Sequence, residues 1–199
     1  KAEDEGKALQ FVLPGWLSEI APGINFSFQS DSKSDASRAE IDTFRPINVG
    51  FGLSYTLPVL VAILGMVAQP PTGGWENNWG ERWDEKRQSE GTLVILENPE
   101  AHLHPQGQTA MGRLLALAAA SGVQILVETH SDHLMDGIRL AVKESLLDAD
   151  NVAFHYLTKN KDGMTEIKSP KIYQNGKLDF WPDGFFDQAL KNSALLAKR

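Results

Sequence analysis

Thr92-Leu-Val-Ile-Leu-Glu-Asn-Pro-Glu-Ala-His-Leu-His-Pro105 is the stretch that decides how the rest of the chain is read. Its apolar residues run unbroken from Leu93 to Leu96, the pattern of a parallel strand covered on both faces. The run stops on a carboxylate, Glu97, followed by Asn98-Pro99-Glu100. Further on, Val123 to Val127 repeats the pattern and runs into Glu128-Thr129-His130-Ser131-Asp132. Between the two, Pro105 to Ser121 reads as a helix, and Gly122 stands where a C-cap should. Ser131 reads as the N-cap of a second helix reaching about Leu147, with Asp132 in its first turn. Val152 to Leu157 reads as a third strand. Strand starts spaced by about 30 residues imply parallel strands with right-handed crossovers. The expected fold class is α/β, a mostly parallel sheet flanked by helices.

Upstream, residues 8–20 read as a short amphipathic helix interrupted near Pro14-Gly15. Ile24, Phe26 and Phe28 alternate with polar neighbours, a strand signal. Gln29 to Ala39 reads as a Ser/Asp-rich loop, and Ile41 to Arg45 as a second strand closing a hairpin. Gly50-Phe51-Gly52 leads into an apolar helix over Ser54 to Val67, with Pro58 placed in about the first turn. Residues 69–91 are polar and carry three of the five Trp, at 75, 79 and 83, on one face of a helix. They read as a surface insertion resting on its own domain, with a partner-docking element as the alternative. Downstream come short strands, turns at Asn160 to Gly163 and at Asn175-Gly176, the segment Trp181-Pro-Asp-Gly-Phe-Phe186, and a last helix to about Ala197. Phe180, Trp181, Phe185 and Phe186 read as aromatics that close the domain.

Composition removes several classes. The chain has 199 residues, no cysteine and a net charge of −7. There is no disulfide framework, thiolate zinc site or cysteine nucleophile, and a cytoplasmic setting is expected. The net acidity gives no support to a nucleic-acid or membrane patch. The longest apolar stretch, Leu57 to Val67, is about 11 residues, too short to span a bilayer. No Gly-x-Ser-x-Gly occurs, so a serine hydrolase is not expected. His102, His104, His130 and His133 have spacings seen in zinc sites, but the sequence fixes no further ligand set. The chain opens on Lys1 and is expected to be a piece of a longer protein.

In an open parallel sheet, ligands bind beyond the C-terminal strand ends. A carboxylate there presents charge from a rigid element to magnesium and phosphate. An imidazole one strand over can bond a terminal phosphate or the water attacking it. Glu97 and His130 fit those two descriptions.

Leu93 to Pro105 resembles the Walker B strand and D-loop of ABC-type ATPases, in the branch that includes SMC, RecF and OLD-like proteins. Ile125 to Leu134 is similar to their switch-histidine segment. Asn48 to Pro58 resembles their divergent signature motif. The stretch 45–187, with its Trp-Pro-x-Gly-Phe-Phe ending, looks like bacterial AAA-family ATPases that carry a C-terminal domain of unknown function. The resemblance implies a P-loop ATPase that binds ATP and Mg2+ between two protomers. Glu97 then stands for the magnesium-organising acid, Asn98 where the catalytic glutamate usually stands, and His130 for the switch histidine. Ala101 to His104 take the D-loop positions facing the second protomer. Gly50, Gly52 and Ser54 match the signature that grips the γ-phosphate bound by the other protomer. The implied domains are a β-rich lead-in over 1–45, an ATPase C-terminal half over 46–158 and an extension over 159–199.

Two departures bear on activity. No G-x-x-x-x-G-K-[ST] loop occurs in the 199 residues, so little holds the β- and γ-phosphates. Asn98 cannot take a proton, so Glu100 or Glu128 is needed as base in its place, and Glu100 is the residue expected. The expected function is the C-terminal portion of an ABC/SMC-like ATPase, inactive alone. The alternative is a non-catalytic interaction module on the same scaffold, binding a protein through 69–91.

Overall fold

The computed structural model describes residues 12–31, 36–68 and 79–198. Helix α1 (residues 12–20) passes through Pro14 and Gly15 without the expected break. Proline is tolerated near a helix start, where its missing N–H costs no bond. Leu13, Leu17 and Ile20 recur at helical spacing and are buried. Residues 8–11 of the expected helix lie outside the described residues.

Strands β1 (Phe26–Asp31) and β2 (Ala36–Ile41) form the expected hairpin, but in a different frame. They pair antiparallel from Phe26 opposite Ile41 to Asp31 opposite Ala36. The Ser/Asp-rich segment read as a loop is therefore partly strand, and the second strand precedes Ile41. Backbone pairing along the whole ladder outweighs the polar composition. Helix α2 (Phe51–Val67) carries Pro58 inside it, past the first turn. Burial of Leu57, Leu60, Ile63 and Leu64 holds the helix across that missing donor. Helix α3 (Trp79–Glu90) covers the end of the Trp-rich segment. Trp75 lies outside the described residues, and with it the one-faced Trp triad.

Strand β3 (Thr92–Glu97), helix α4 (Pro105–Ala120), strand β4 (Val123–Glu128) and helix α5 (Asp132–Lys143) form the expected βαβα unit. The strands pair in parallel, with Thr92 opposite Val123 and Glu97 opposite Glu128. Ser131 caps α5 by accepting the Leu134 N–H at 2.9 Å. The helix ends at Lys143 rather than Leu147, and Ser145, at φ 60°, turns the chain away. Strand β5 (Tyr156–Lys159) begins after Val152 and pairs antiparallel with β6 (Thr165–Lys168). Among the described residues it is not hydrogen-bonded to β4. Helix α6 (Gln188–Leu196) closes the chain.

The central strands are not covered on both faces as expected. Leu96, Ile125 and Val127 pack on a core built from α1, α2, α4 and α5. The alternate residues Leu93, Ile95 and Leu126 are 56%, 67% and 60% exposed. An unbroken apolar run signals two buried faces only when layers exist on both sides. Here the described helices cover one.

Helices α4 and α5 meet backbone to backbone. A Cβ at Gly112 would lie 2.1 Å from the Leu134 carbonyl oxygen, and one at Gly137 2.2 Å from that of Thr109. The Arg113 guanidinium clasps both Glu144 oxygens at 3.0 and 2.7 Å across the same pair, and holds that carboxyl below its ordinary value.

The tail is bound to this pair. Ile172 is buried with Ala116, Ala141, Val142 and Leu147. Gln174 Nε2 donates to the Val142 carbonyl at 2.6 Å. The Arg139 guanidinium donates to the Gly176 carbonyl at 2.9 Å and lies 5.3 Å from the Trp181 ring centre. Of the tail aromatics Phe185 is buried, against Tyr156, Trp181 and Phe186, while Phe180 and Trp181 stay partly exposed. Among the described residues no helix is long and apolar enough to cross a membrane.

The crossing makes Gly137→Ala destabilising by roughly 1–3 kcal/mol, although alanine is the better helix former by about 1 kcal/mol. Gly65→Ala on α2, where an added Cβ meets nothing within 4 Å, raises stability by about 0.5–1 kcal/mol. Urea midpoints at constant m-value measure both, and a raised midpoint for Gly137→Ala contradicts the close crossing.

Candidate functional site

The parallel register carries Glu97 and Glu128 to the same level. Because side chains alternate along a strand, in-register neighbours point to the same side. Both acids belong to the exposed face that Leu93, Ile95 and Leu126 occupy. His130 Nε2 lies 3.1 Å from Glu128 Oε1, and its side chain is 85% exposed. A groove of about 1190 Å³ follows β4, lined by Ile95, Glu97, Glu128 and His130 and by Leu134 and Met135 on the α5 side, with Phe185 and Lys191 on another part of its wall. The Lys191 ammonium is claimed by Asp183 and Asp187, each at 2.7 Å. Hydrogen bonds to both carboxylates raise its pKa.

The loop after β3 is tightly wound. The Asn98 N–H donates to the Glu128 carbonyl at 2.9 Å. Asn98 and His102 take φ of 45° and 64°. That left-handed region is open to asparagine more than to most side chains. Pro99 is fully buried and Glu100 only 6% exposed. Glu100 Oε1 accepts the Thr129 hydroxyl at 2.6 Å and the His130 N–H at 3.3 Å.

Gly50 is the N-cap residue of α2, and Ser54 lies in its first turn. Gly52 abuts the same loop, since a Cβ there would lie 2.8 Å from the His102 carbonyl oxygen. His104 takes the N-cap position of α4 and makes no side-chain cap bond. The fold thus gathers Glu97, Asn98, Glu100 and His130 around two strand ends and brings Gly52 to the adjoining loop. Among the described residues no group of three His, Cys, Asp or Glu converges to hold a metal. The four histidines with zinc-like spacing form no such site. Glu97, exposed at the end of β3, is an oxygen donor of the kind a hard cation takes beside water.

Three contributors escape a reading of the sequence. The Tyr55 hydroxyl on α2 donates to the Glu97 carbonyl at 2.9 Å, fixing the end of β3 from outside the sheet. Thr129 and Gln108 tie the loops together through their side chains. Thr129 has a signal in its place between Glu128 and His130. Tyr55 has none, because its role depends on how α2 lies across β3.

Residues 4–136 match the family described as "AAA domain, putative AbiEii toxin, Type IV TA system". Residues 147–196 match a family described as a protein of unknown function. No curated protein matches the chain. Three of the solved structures that match the chain are as follows. One is from work on ATP-driven dimerization and DNA-stimulated activation of SMC ATPases, with 12% identity, TM-score 0.49, and 97% of this chain and 93% of the other aligned. A second is an SmcHead bound to the C-winged helix domain of ScpA, with 11% identity, TM-score 0.51, and 93% and 44% aligned. A third is an Smc head domain with an extended coiled coil bound to the C-terminal domain of ScpA, from Pyrococcus furiosus, with 11% identity, TM-score 0.49, and 97% and 38% aligned. The chain spans less than half the length of the last two.

Loss of the bond to Glu97 in Tyr55→Phe costs about 0.5–1.5 kcal/mol, the usual net worth of such a bond. Urea unfolding gives the cost. Chemical-shift changes should centre on Glu97 and Asn98, and changes confined to α2 contradict the contact.

Proposed function

The chain belongs to this AAA-domain family, and on that premise we propose that it is an ABC/SMC-like P-loop ATPase member that supplies one half of an ATP–Mg2+ site completed by other polypeptide. The observation that carries the reading is the level register of β3 and β4, which sets two carboxylates and an imidazole at one sheet edge. Two like charges side by side repel. A divalent cation with phosphate is the partner that turns this repulsion into binding.

Glu97 is the acid that would hold Mg2+, directly or through water. Held there, Mg2+ would supply charge neutralisation for phosphate oxygens. Glu128 orients His130 through the contact at Nε2, and the imidazole bonds the terminal phosphate or the attacking water. Asn98 cannot serve as base. Glu100, the substitute expected from sequence, turns its carboxylate inward to Thr129 and the His130 N–H. Exposure and position favour Glu128 for the proton, with Glu100 kept for structure. His104 and the rest of the loop 101–104 face a second protomer. Gly50 and Gly52, at the α2 N-terminus, offer their N–H groups, and Ser54 its hydroxyl, to the γ-phosphate bound by that protomer.

The β- and γ-phosphates need a Gly-rich loop with lysine, which the 199 residues lack. Half-exposed Leu93, Ile95 and Leu126 on the face that bears both acids support a covering element there. The 199-residue chain alone therefore releases no phosphate from ATP.

In a protein that joins this chain to a G-x-x-x-x-G-K-[ST] segment, Glu97→Gln, Glu128→Gln and His130→Ala each lower turnover by about 100-fold. Asn98→Glu raises it. Phosphate release under saturating ATP is the measurement, and unchanged turnover in both Glu97→Gln and His130→Ala refutes the assigned roles.

A further inference from the structure

Among the described residues the buried polar side chains are Thr56, Glu100 and Ser131. The last two belong to one network. Glu100 Oε1 accepts the Thr129 hydroxyl at 2.6 Å and the His130 N–H at 3.3 Å. Thr129 Oγ1 accepts the Ser131 N–H at 3.0 Å. The Ser131 hydroxyl donates to Gln108 Oε1 at 2.6 Å, and Gln108 Nε2 donates to the Leu103 carbonyl at 2.8 Å. The Leu103 N–H returns to the Glu100 carbonyl at 3.0 Å. The ring runs from loop 98–104 to loop 129–131, through the first turn of α4, and back.

A carboxylate out of water is costly unless hydrogen bonds replace its hydration. Glu100 receives those bonds at one oxygen only. Among the described residues Oε2 has no partner. What the network uses is a single acceptor at a fixed place, and that acceptor joins loop 98–104 to loop 129–131 directly, beside the indirect link that runs through Gln108. The loop itself is wound through left-handed residues on either side of Glu100, so it needs an outside restraint to keep that shape.

We infer that Glu100 is a positioning residue that locks loop 98–104 to loop 129–131. The end of β3, with Glu97, and the backbone of His130 then move as one body. Glu100 acts through Thr129 and the His130 N–H and touches neither phosphate nor cation. The purpose of the lock rests on the proposed ATP site, but the lock itself is a property of the ligand-free chain.

Amide hydrogen exchange by NMR on the 199-residue chain, without nucleotide, tests it. Glu100→Ala speeds exchange at Leu103, His130 and Ser131 by about tenfold or more, while Ile95 and Leu126 in the strand ladder keep their rates. Glu100→Gln, which keeps one carbonyl oxygen for Thr129, restores protection. Thr129→Val reproduces the loss at His130 and Ser131, and Thr129→Ser does not. Where Glu100→Ala fails to fold, the two Thr129 variants carry the test. Unchanged rates at His130 and Ser131 in Thr129→Val overturn the inference, as does acceleration in Glu100→Ala spread evenly over the ladder. ATP turnover indifferent to Glu97→Gln and His130→Ala would sink the ATP reading and leave the exchange pattern standing.

Discussion

Level parallel pairing of β3 with β4 governs where the candidate acids and His130 of this chain lie. Six residues of each strand match without offset, from Thr92 opposite Val123 to Glu97 opposite Glu128. A slip of one residue would turn every side chain of one strand to the other face. It would place Glu128 among the core residues and Val127 on the exposed face. The apolar inward residues Leu96, Ile125 and Val127 therefore enforce the register, and the acids inherit their position from it. The repulsion between the two acids is tolerated because both are open to solvent and Glu128 has His130 at 3.1 Å.

Above that register, two further contacts settle how precisely the strand ends are held. Tyr55 reaches from α2 to the Glu97 carbonyl, and Asn98 returns its N–H to the Glu128 carbonyl. Loops that carry function are usually the mobile part of a fold. Here the loop is pinned from the helix, from the neighbouring strand and from the buried Glu100. Asn98 fits this geometry for a conformational reason, since its φ of 45° suits asparagine. Asparagine at this position thus has a backbone reason, whatever chemistry the strand end carries.

The βαβα unit was legible because its signals are local: two apolar runs, the Ser131 cap and the Gly122 stop. The placement of Glu97, Asn98 and His130 was legible because the apolar runs that precede them mark where the strands end. What was not legible depends on packing between distant segments. The hairpin frame of β1 and β2 is set by backbone pairing that Ser and Asp do not advertise. The exposure of Leu93, Ile95 and Leu126 depends on which layers are present, not on the run itself. Pro58 sits deeper in α2 than its sequence position suggested, because the helix begins at Phe51 ahead of Ser54. Gly112 and Gly137 look like weak points in two helices, yet their lack of side chains is what lets α4 and α5 touch.

The uncovered face and the acids are one surface, and that coincidence has an energetic consequence. Burying an exposed Leu or Ile contributes about 1.5–3 kcal/mol, so an element laid over Leu93, Ile95 and Leu126 gains several such increments before it touches any ligand. The same element must approach Glu97 and Glu128, because alternation puts them on that face. On the proposed reading, covering the sheet and bringing phosphate-binding groups to the acids are a single event. Hydrophobic burial supplies the affinity, and the carboxylates with His130 set which chemistry the covering element must carry. Rigid strand ends suit that division, since a partner docking on apolar surface finds the acids already in place and loses little further freedom in ordering them.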